Sequence, residues 1–175
     1  MFKSYLSITL FLLFSGLVVP AALAQQTNDR QSAEIYVGYH LKGTDGDKFN
    51  GAAASVTGNF HNFIGAEFEF AVSKGPDRGI LGRLTDYDYL GGIRVKDNRK
   101  NDVKVKPFAH FLAGINQVDN LGAKYNSFTT VIGGGIDVKV SERISVRAIK
   151  GEYQHVYDVS YGSDQYRVGF GLVFH

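Results

Sequence analysis

From Ala33 to the C-terminus the chain repeats one pattern: large apolar residues at every second position, small or polar residues between them, and turn-forming clusters separating the runs. The last run shows it most plainly. In Asp164–His175, one set is Tyr166, Val168, Phe170, Leu172 and Phe174, and the other is Arg167, Gly169, Gly171, Val173 and His175. Period-two alternation over this length predicts a strand with one apolar face. The same reading predicts strands at Ala33–Leu41, Gly51–Phe60, 64–72, Thr85–Lys96, Val105–Val118 and Ser127–Val140. A further strand opens with Ile144, Val146 and Ala148 set against Ser145 and Arg147. Its phase fails near Lys150-Gly151, where a bulge is expected.

The connections sort into two sets. One is His61-Asn62, Asp97–Lys104 and Ser141-Glu142; the other is Gly43–Asn50, Lys74–Leu84, Asp119–Asn126 and Tyr157–Ser163. About eight strands of roughly 9–13 residues result, each long enough to cross a bilayer when tilted. An even number brings the first and last strands side by side and antiparallel, which leaves no edge whose backbone groups would lie unpaired in hydrocarbon. The expected fold is therefore all-β: a closed antiparallel eight-stranded up-and-down transmembrane barrel. If the first strand starts on the periplasmic side, the second and mostly longer set of connections lies outside the cell.

Upstream of the alternation the pattern changes. Lys3, the apolar run Leu6–Val19, Pro20 and the small-residue site Ala22-Leu23-Ala24 read as a secretory signal peptide over 1–24, cleaved before Gln25. Residues 25–32 are a polar, flexible lead-in, and 33–175 form the barrel. Composition agrees: 175 residues with 21 Gly, 10 Tyr, 13 Phe and 3 Pro favour strands and tight turns. The absence of Cys excludes a disulfide scaffold, a thiol nucleophile and an acylated lipoprotein cysteine. A formal charge of +2 gives no argument for a nucleic-acid partner. The mean hydropathy of -0.11 suits a barrel whose lipid-facing residues are diluted by inward ones.

The polar face carries the candidate chemistry. Glu34, Glu67, Glu69, Asp86, Asp88, Arg94, Lys96, Lys106, His110, Asp137, Lys139, Arg147 and Arg167 all fall on it. A small barrel is filled by its own side chains and a buried charge needs a partner, so these residues are expected to form a salt-bridged plug. A narrow ion path is the alternative. Phe68, Phe70, Phe111, Ile132, Phe170 and Leu172 are expected to face lipid. Phe60, Phe63, Tyr87, Tyr89, Phe128, Tyr166 and Phe174 are expected to form girdles at the two interfaces.

Four stretches carry a family resemblance: Gly91-Gly-Ile-Arg-Val95, Lys106-Pro-Phe-Ala-His-Phe-Leu-Ala-Gly114, Gly133-Gly-Gly-Ile-Asp137 and Val168-Gly-Phe-Gly-Leu-Val-Phe174. Together they resemble the small outer-membrane β-barrel family that includes the transmembrane domain of outer membrane protein A. The resemblance implies a barrel in a Gram-negative-type outer membrane, with outer-membrane lipids around it. It also implies an assembly signal in the terminal strand (Tyr166, Gly169, Phe170, Leu172, Phe174), read by the barrel-insertion machinery. That signal usually ends on an aromatic residue, whereas here His175 follows Phe174. A monomer without cofactor, metal or catalytic residues is expected, with a structural, anchoring or surface-interaction role.

Two other classes compete. A lipid-modifying enzyme would use His155 with Ser160, Ser163 or Asp158 as base and nucleophile, although no G-x-S-x-G elbow is present. A soluble lipocalin-like ligand-binding barrel in the periplasm would need the apolar set inside and the polar set outside. The glycine runs Gly91-Gly92 and Gly133-Gly134-Gly135 do not fit a phosphate loop. No H-E-x-x-H spacing links His40, His61, His110, His155 and His175, and Asp45-Gly46-Asp47 reads as a turn rather than a calcium loop.

Overall fold

The computed structural model describes residues 30–44, 47–77, 83–120, 123–157 and 163–175. The expected signal peptide and residues 25–29 of the lead-in lie outside the described residues. Eight strands follow in order: β1 (Ala33–Thr44), β2 (Asp47–Asn59), β3 (Ile64–Asp77), β4 (Arg83–Lys96), β5 (Val105–Asn120), β6 (Ala123–Lys139), β7 (Ile144–Tyr157) and β8 (Ser163–Phe174). Each pairs antiparallel with the next, and β1 pairs antiparallel with β8 from Ile35↔Phe174 to Thr44↔Gln165. The sheet closes into a barrel.

The apolar positions of the alternation point outward. Phe68 is 65% exposed, Phe111 55% and Phe170 60%, and Phe70, Ile132 and Leu172 are exposed with them. The other face is buried, and apart from two small apolar clusters (Tyr36, Ala53, Ala71 and Val173; Leu90, Leu112 and Val131) it is mainly polar. This distribution is the reverse of a water-soluble barrel and rules out the lipocalin-like alternative, whose apolar residues would line the interior. An apolar belt running round a whole barrel far exceeds the patches that soluble monomers expose.

The end of the barrel that carries Ala33 and Phe174 is the near rim. Its connections are 60–63, 97–104 and 140–143. In the last of these, Ser141 Oγ accepts from the backbone N–H groups of Arg143 and Ile144 at 3.3 and 3.1 Å. Residues 30–32, expected to be flexible, are pinned to this rim. Gln31 N–H donates to Asn98 O at 2.9 Å, Asn59 N–H donates to Ser32 O at 2.8 Å, and Arg30 bridges Arg99.

The opposite, far rim differs from expectation. Its four connections were expected to be loops, yet pairing continues to Thr44↔Asp47, Asp77↔Arg83, Asn120↔Ala123 and Val156↔Ser163. The physical reason is that alternation reports which side chains turn outward into the apolar belt. Beyond that belt the pattern fades, while the backbone ladder continues as a hairpin ribbon. The bulge in β7 sits at Ala148 and Ile149, just before the expected Lys150-Gly151. Both residues face outward, and the β7–β8 register shifts between Arg147 and Lys150. Arg147 and Lys150 therefore both point inward.

Glycine on the inward face makes room. A Cβ at Gly135 would meet the Ile149 carbonyl oxygen and lie 2.8 Å from the Phe108 ring. We expect Gly135→Val to lower the unfolding free energy by about 1–3 kcal/mol through overpacking, read from urea unfolding in detergent micelles. An outward glycine with open space around it, Gly151, accepts alanine with little change.

Candidate functional site

The candidate site is the lumen, because the buried charges gather there. Among the described residues, seven carboxylates (Glu34, Glu67, Glu69, Asp86, Asp88, Asp137 and Glu152) and seven cations (Lys42, Arg94, Lys96, Lys106, Arg147, Lys150 and Arg167) are buried. Six of the cations meet the carboxylates in three tiers.

Nearest the near rim, Glu34 on β1 pairs with Arg94 at 2.7 Å and Lys96 at 3.0 Å, both on β4. Lys96 also reaches Asp137 on β6 at 2.8 Å. Asp137 takes a two-pronged contact from Arg147 on β7, Nε to Oδ1 at 2.8 Å and Nη2 to Oδ2 at 3.1 Å. The guanidinium carbon of Arg147 lies 4.0 Å from the Phe108 ring centroid and 4.5 Å from that of Tyr36. Planar charge between aromatic faces is an arrangement that arginine tolerates with little hydration.

In the middle tier, Glu67 accepts from Ser55 Oγ at 2.9 Å and faces His110 Nδ1 at 3.2 Å. His110 Nε2 lies 2.9 Å from Glu152. Both ring nitrogens thus face carboxylates, and the ring satisfies both only as imidazolium, where each nitrogen carries a proton. Lys150 bridges Glu69 and Glu152. Arg167 reaches Glu69 at 2.9 Å and Glu152 at 3.1 Å, linking β8 to β3 and β7.

Towards the far rim, Lys42 pairs with Asp86 at 2.5 Å and Asp88 at 3.4 Å. The amides of Asn116 and Gln154 each donate to Asp88 Oδ1 at 2.7 Å, and Asn116 also donates to Asp86. Contacts therefore cross the lumen between distant strands at every level. Such an arrangement ties the wall together across the lumen. Among the described residues, no group of three or more His, Asp or Glu side chains is placed to hold a metal ion.

Several expected residues sit differently. Lys139 lies at the near rim and pairs with the exposed Glu142 at 2.7 Å, apart from the buried network. The Glu142 carboxyl is held below its ordinary range by Lys139. Lys106 is buried but donates to the Arg99 carbonyl at 2.6 Å. Alternation alone does not find Lys42, Lys150 and Glu152: it ends the first strand at Leu41, and the bulge reverses the phase beyond Arg147. The polar partners Ser55, Gln154 and Asn116 carry no charge to draw notice.

Of the residues named for an enzyme, Ser160 and Asp158 lie outside the described residues. His155 Nδ1 meets Asp164 Oδ1 at 2.6 Å on the outward side near the far rim, and the Tyr153 hydroxyl donates to the same oxygen at 2.6 Å. Ser163 lies opposite Val156, at the start of β8. Of the calcium-like turn only Asp47 is described. The terminal residue resolves differently from its strand: Phe174 faces outward, while the His175 ring turns into the near-rim mouth, 2.9 Å from Ser145 Oγ.

Among solved structures, the Neisserial surface protein A matches with a TM-score of 0.66 at 11% identity, covering 82% of this chain and 97% of that one. This chain has the fold of the small outer-membrane β-barrels. OprG of Pseudomonas aeruginosa matches with a TM-score of 0.57 at 11% identity, covering 85% and 97%. Ail of Yersinia pestis, in complex with the heparin analogue sucrose octasulfate, matches with 0.54 at 16% identity, covering 81% and 97%. No protein-family model matches the chain, and no curated protein matches it by sequence. The likeness is carried by architecture.

Two outcomes follow. Asp137→Asn leaves Arg147 and Lys96 short of a carboxylate and is expected to cost about 3–5 kcal/mol. Asp137→Asn combined with Arg147→Met should cost less than the sum of the single changes, which a double-mutant cycle of urea unfolding measures. The second concerns His175, whose imidazole is held below its ordinary pKa by burial, against the pull of Glu34. Its folded form binds fewer protons than the unfolded form, so this contribution to stability is present above the ordinary imidazole range and lost as pH falls below about 6.5. His175→Gln should flatten that part of the stability–pH curve.

Proposed function

We propose that this chain is an outer-membrane barrel that anchors in the membrane, presents its far-rim hairpins outside the cell and conducts little through its lumen. It acts without catalysis. One observation carries the reading: an apolar belt outside, with a charge-paired interior. Only a surrounding hydrocarbon phase makes that distribution favourable.

The near rim, where β1 begins and β8 ends, is the periplasmic end, and the far-rim hairpins face outward. Strands of 12 to 17 residues exceed the ~9–11 that a tilted strand needs to cross a bilayer. The excess at the far rim stands beyond the membrane and is available to surface partners. Ail, a barrel of similar fold, was solved in complex with the heparin analogue sucrose octasulfate, which supports recognition of an outside ligand as one use of such a barrel. Outer-membrane lipids and the insertion machinery are the partners that this reading requires.

The test is direct. In the membrane fraction the protein should migrate differently on gels before and after boiling, as a closed barrel does. Purified and placed in a planar bilayer, it should give no stable large conductance. Steady nanosiemens-scale openings of the unmodified protein would overturn the plugged lumen, and failure to fractionate with outer membranes would overturn the localisation.

A further inference from the structure

The outward face of β1–β3 carries a feature that the belt alone does not require. At the far rim a groove of about 340 Å³ is lined by Leu41, Pro76, Asn50 and two lysines, Lys48 and Lys74. Both lysines point outward and are exposed. Asn50 sits directly across from Lys74, and Lys48 is the next outward residue on β2, so the lysine Cα atoms stand diagonally, roughly 7–8 Å apart. Neither lysine meets a carboxylate within ion-pair distance among the described residues.

Below the lysines runs an apolar trough of about 700 Å³. Its floor includes the small Ala54 and Ala113, its walls are Phe68, Phe70 and Tyr89, and the Phe68 ring lies across Gly91. The exposed Ala52 joins groove to trough on β2. From Asn50 to Ala54 the strand advances about 13 Å at ~3.3 Å per residue. With a strand tilt of about 40°, the descent along the membrane normal is about 10 Å, which lies within one leaflet of a hydrocarbon core ~30 Å thick. Paired cations thus stand at headgroup height, directly above a slot at acyl-chain depth.

We propose that this face docks one phosphorylated glycolipid of the outer leaflet, with a phosphate held by Lys48 and Lys74 and an acyl chain lying in the trough. The proposal rests on the membrane reading above. Two ammonium groups on one face suit a phosphate, to which each contributes charge-assisted hydrogen bonds. Lysine stems lying along apolar surface keep their charged ends at the polar boundary. The Asn50 amide between them offers both a donor and an acceptor to a sugar ring, which a simple glycerol headgroup lacks. The small floor residues let a chain sit closer to the sheet than it could over the phenylalanines.

The test uses the signal-free chain folded in detergent micelles, with native mass spectrometry after addition of bis-phosphorylated lipid A, its dephosphorylated form or phosphatidylglycerol. We expect one lipid A per protein, bound at least tenfold tighter than either of the others. Lys48→Glu with Lys74→Glu should weaken binding at least tenfold, and Lys48→Gln with Lys74→Gln severalfold. Ala54→Phe, which fills the trough, should weaken it severalfold, while Lys124→Glu, elsewhere on the far rim, should leave it unchanged. Equal binding of phosphatidylglycerol, or undiminished lipid A binding by folded lysine and Ala54 variants, overturns the site. Heat-modifiable migration of every variant reports folding separately, so a wild-type chain that folds without lipid preference counts against the site alone. One that never folds in detergent counts against the membrane reading.

Discussion

Hydrocarbon offers no partner to a free backbone N–H or C=O, and each one left unpaired there costs several kcal/mol. Everything in this fold follows from meeting that constraint by closure. The decisive contact is the ladder between β1 and β8, which turns two edges into one more internal pair. Once the ring is closed at eight strands its circumference is fixed, and the interior is only as wide as side chains can fill. Outside, any apolar side chain is acceptable; inside, volume and charge must both balance.

Volume is balanced across the ladder. Bulky inward residues repeatedly stand opposite glycine: Arg94 opposite Gly65, Glu67 opposite Gly92, His110 opposite Gly133, Phe108 opposite Gly135, Arg147 opposite Gly171 and Lys150 opposite Gly169. Each glycine gives the cross-strand side chain space to bend over the sheet towards its partner. The high glycine content is thus a packing device for a narrow charged lumen. Charge is balanced by the pairings themselves, and the middle tier reaches parity when His110 carries a proton between Glu67 and Glu152.

The outward surface was legible because period-two alternation reports side-chain direction, and it put Phe68, Phe111 and Phe170 on the face that the barrel turns outward. The lumen was legible by the same logic wherever a strand is regular, as for Glu34, Glu67, Arg94 and Arg167. Legibility failed where alternation is interrupted or irrelevant. Lys42 lies just past the last apolar residue of β1, between the strand expected to end at Leu41 and the loop expected from Gly43, although its backbone is still paired. Lys150 and Glu152 follow an added residue, which moves their apparent face. Lys139 has the right phase but the wrong height: alternation gives face, not depth, so a rim lysine and a core lysine look alike. Pairing across the lumen was out of reach altogether, because partners such as Arg167 and Glu69 come from strands that are not neighbours.

The bulge in β7 shows how strongly charge disciplines register. A one-residue slip sends every side chain to the opposite face. Carried outward at mid-membrane, a lysine or arginine costs about 2–4 kcal/mol. β7 bears Arg147, Lys150 and Glu152, and strict alternation from Arg147 would send both Lys150 and Glu152 into lipid. Two consecutive outward residues, Ala148 and Ile149, absorb the mismatch at the cost of a local break in the ladder. The break makes sense because what it secures is larger. Lys150 and Glu152 both enter the middle tier, where Glu69, His110 and Arg167 meet them, and Arg147 still reaches Asp137 on the tier below. The irregularity in the ladder is therefore set by the demands of the lumen, and the electrostatics of the interior decides where the backbone deviates from its own regular pattern.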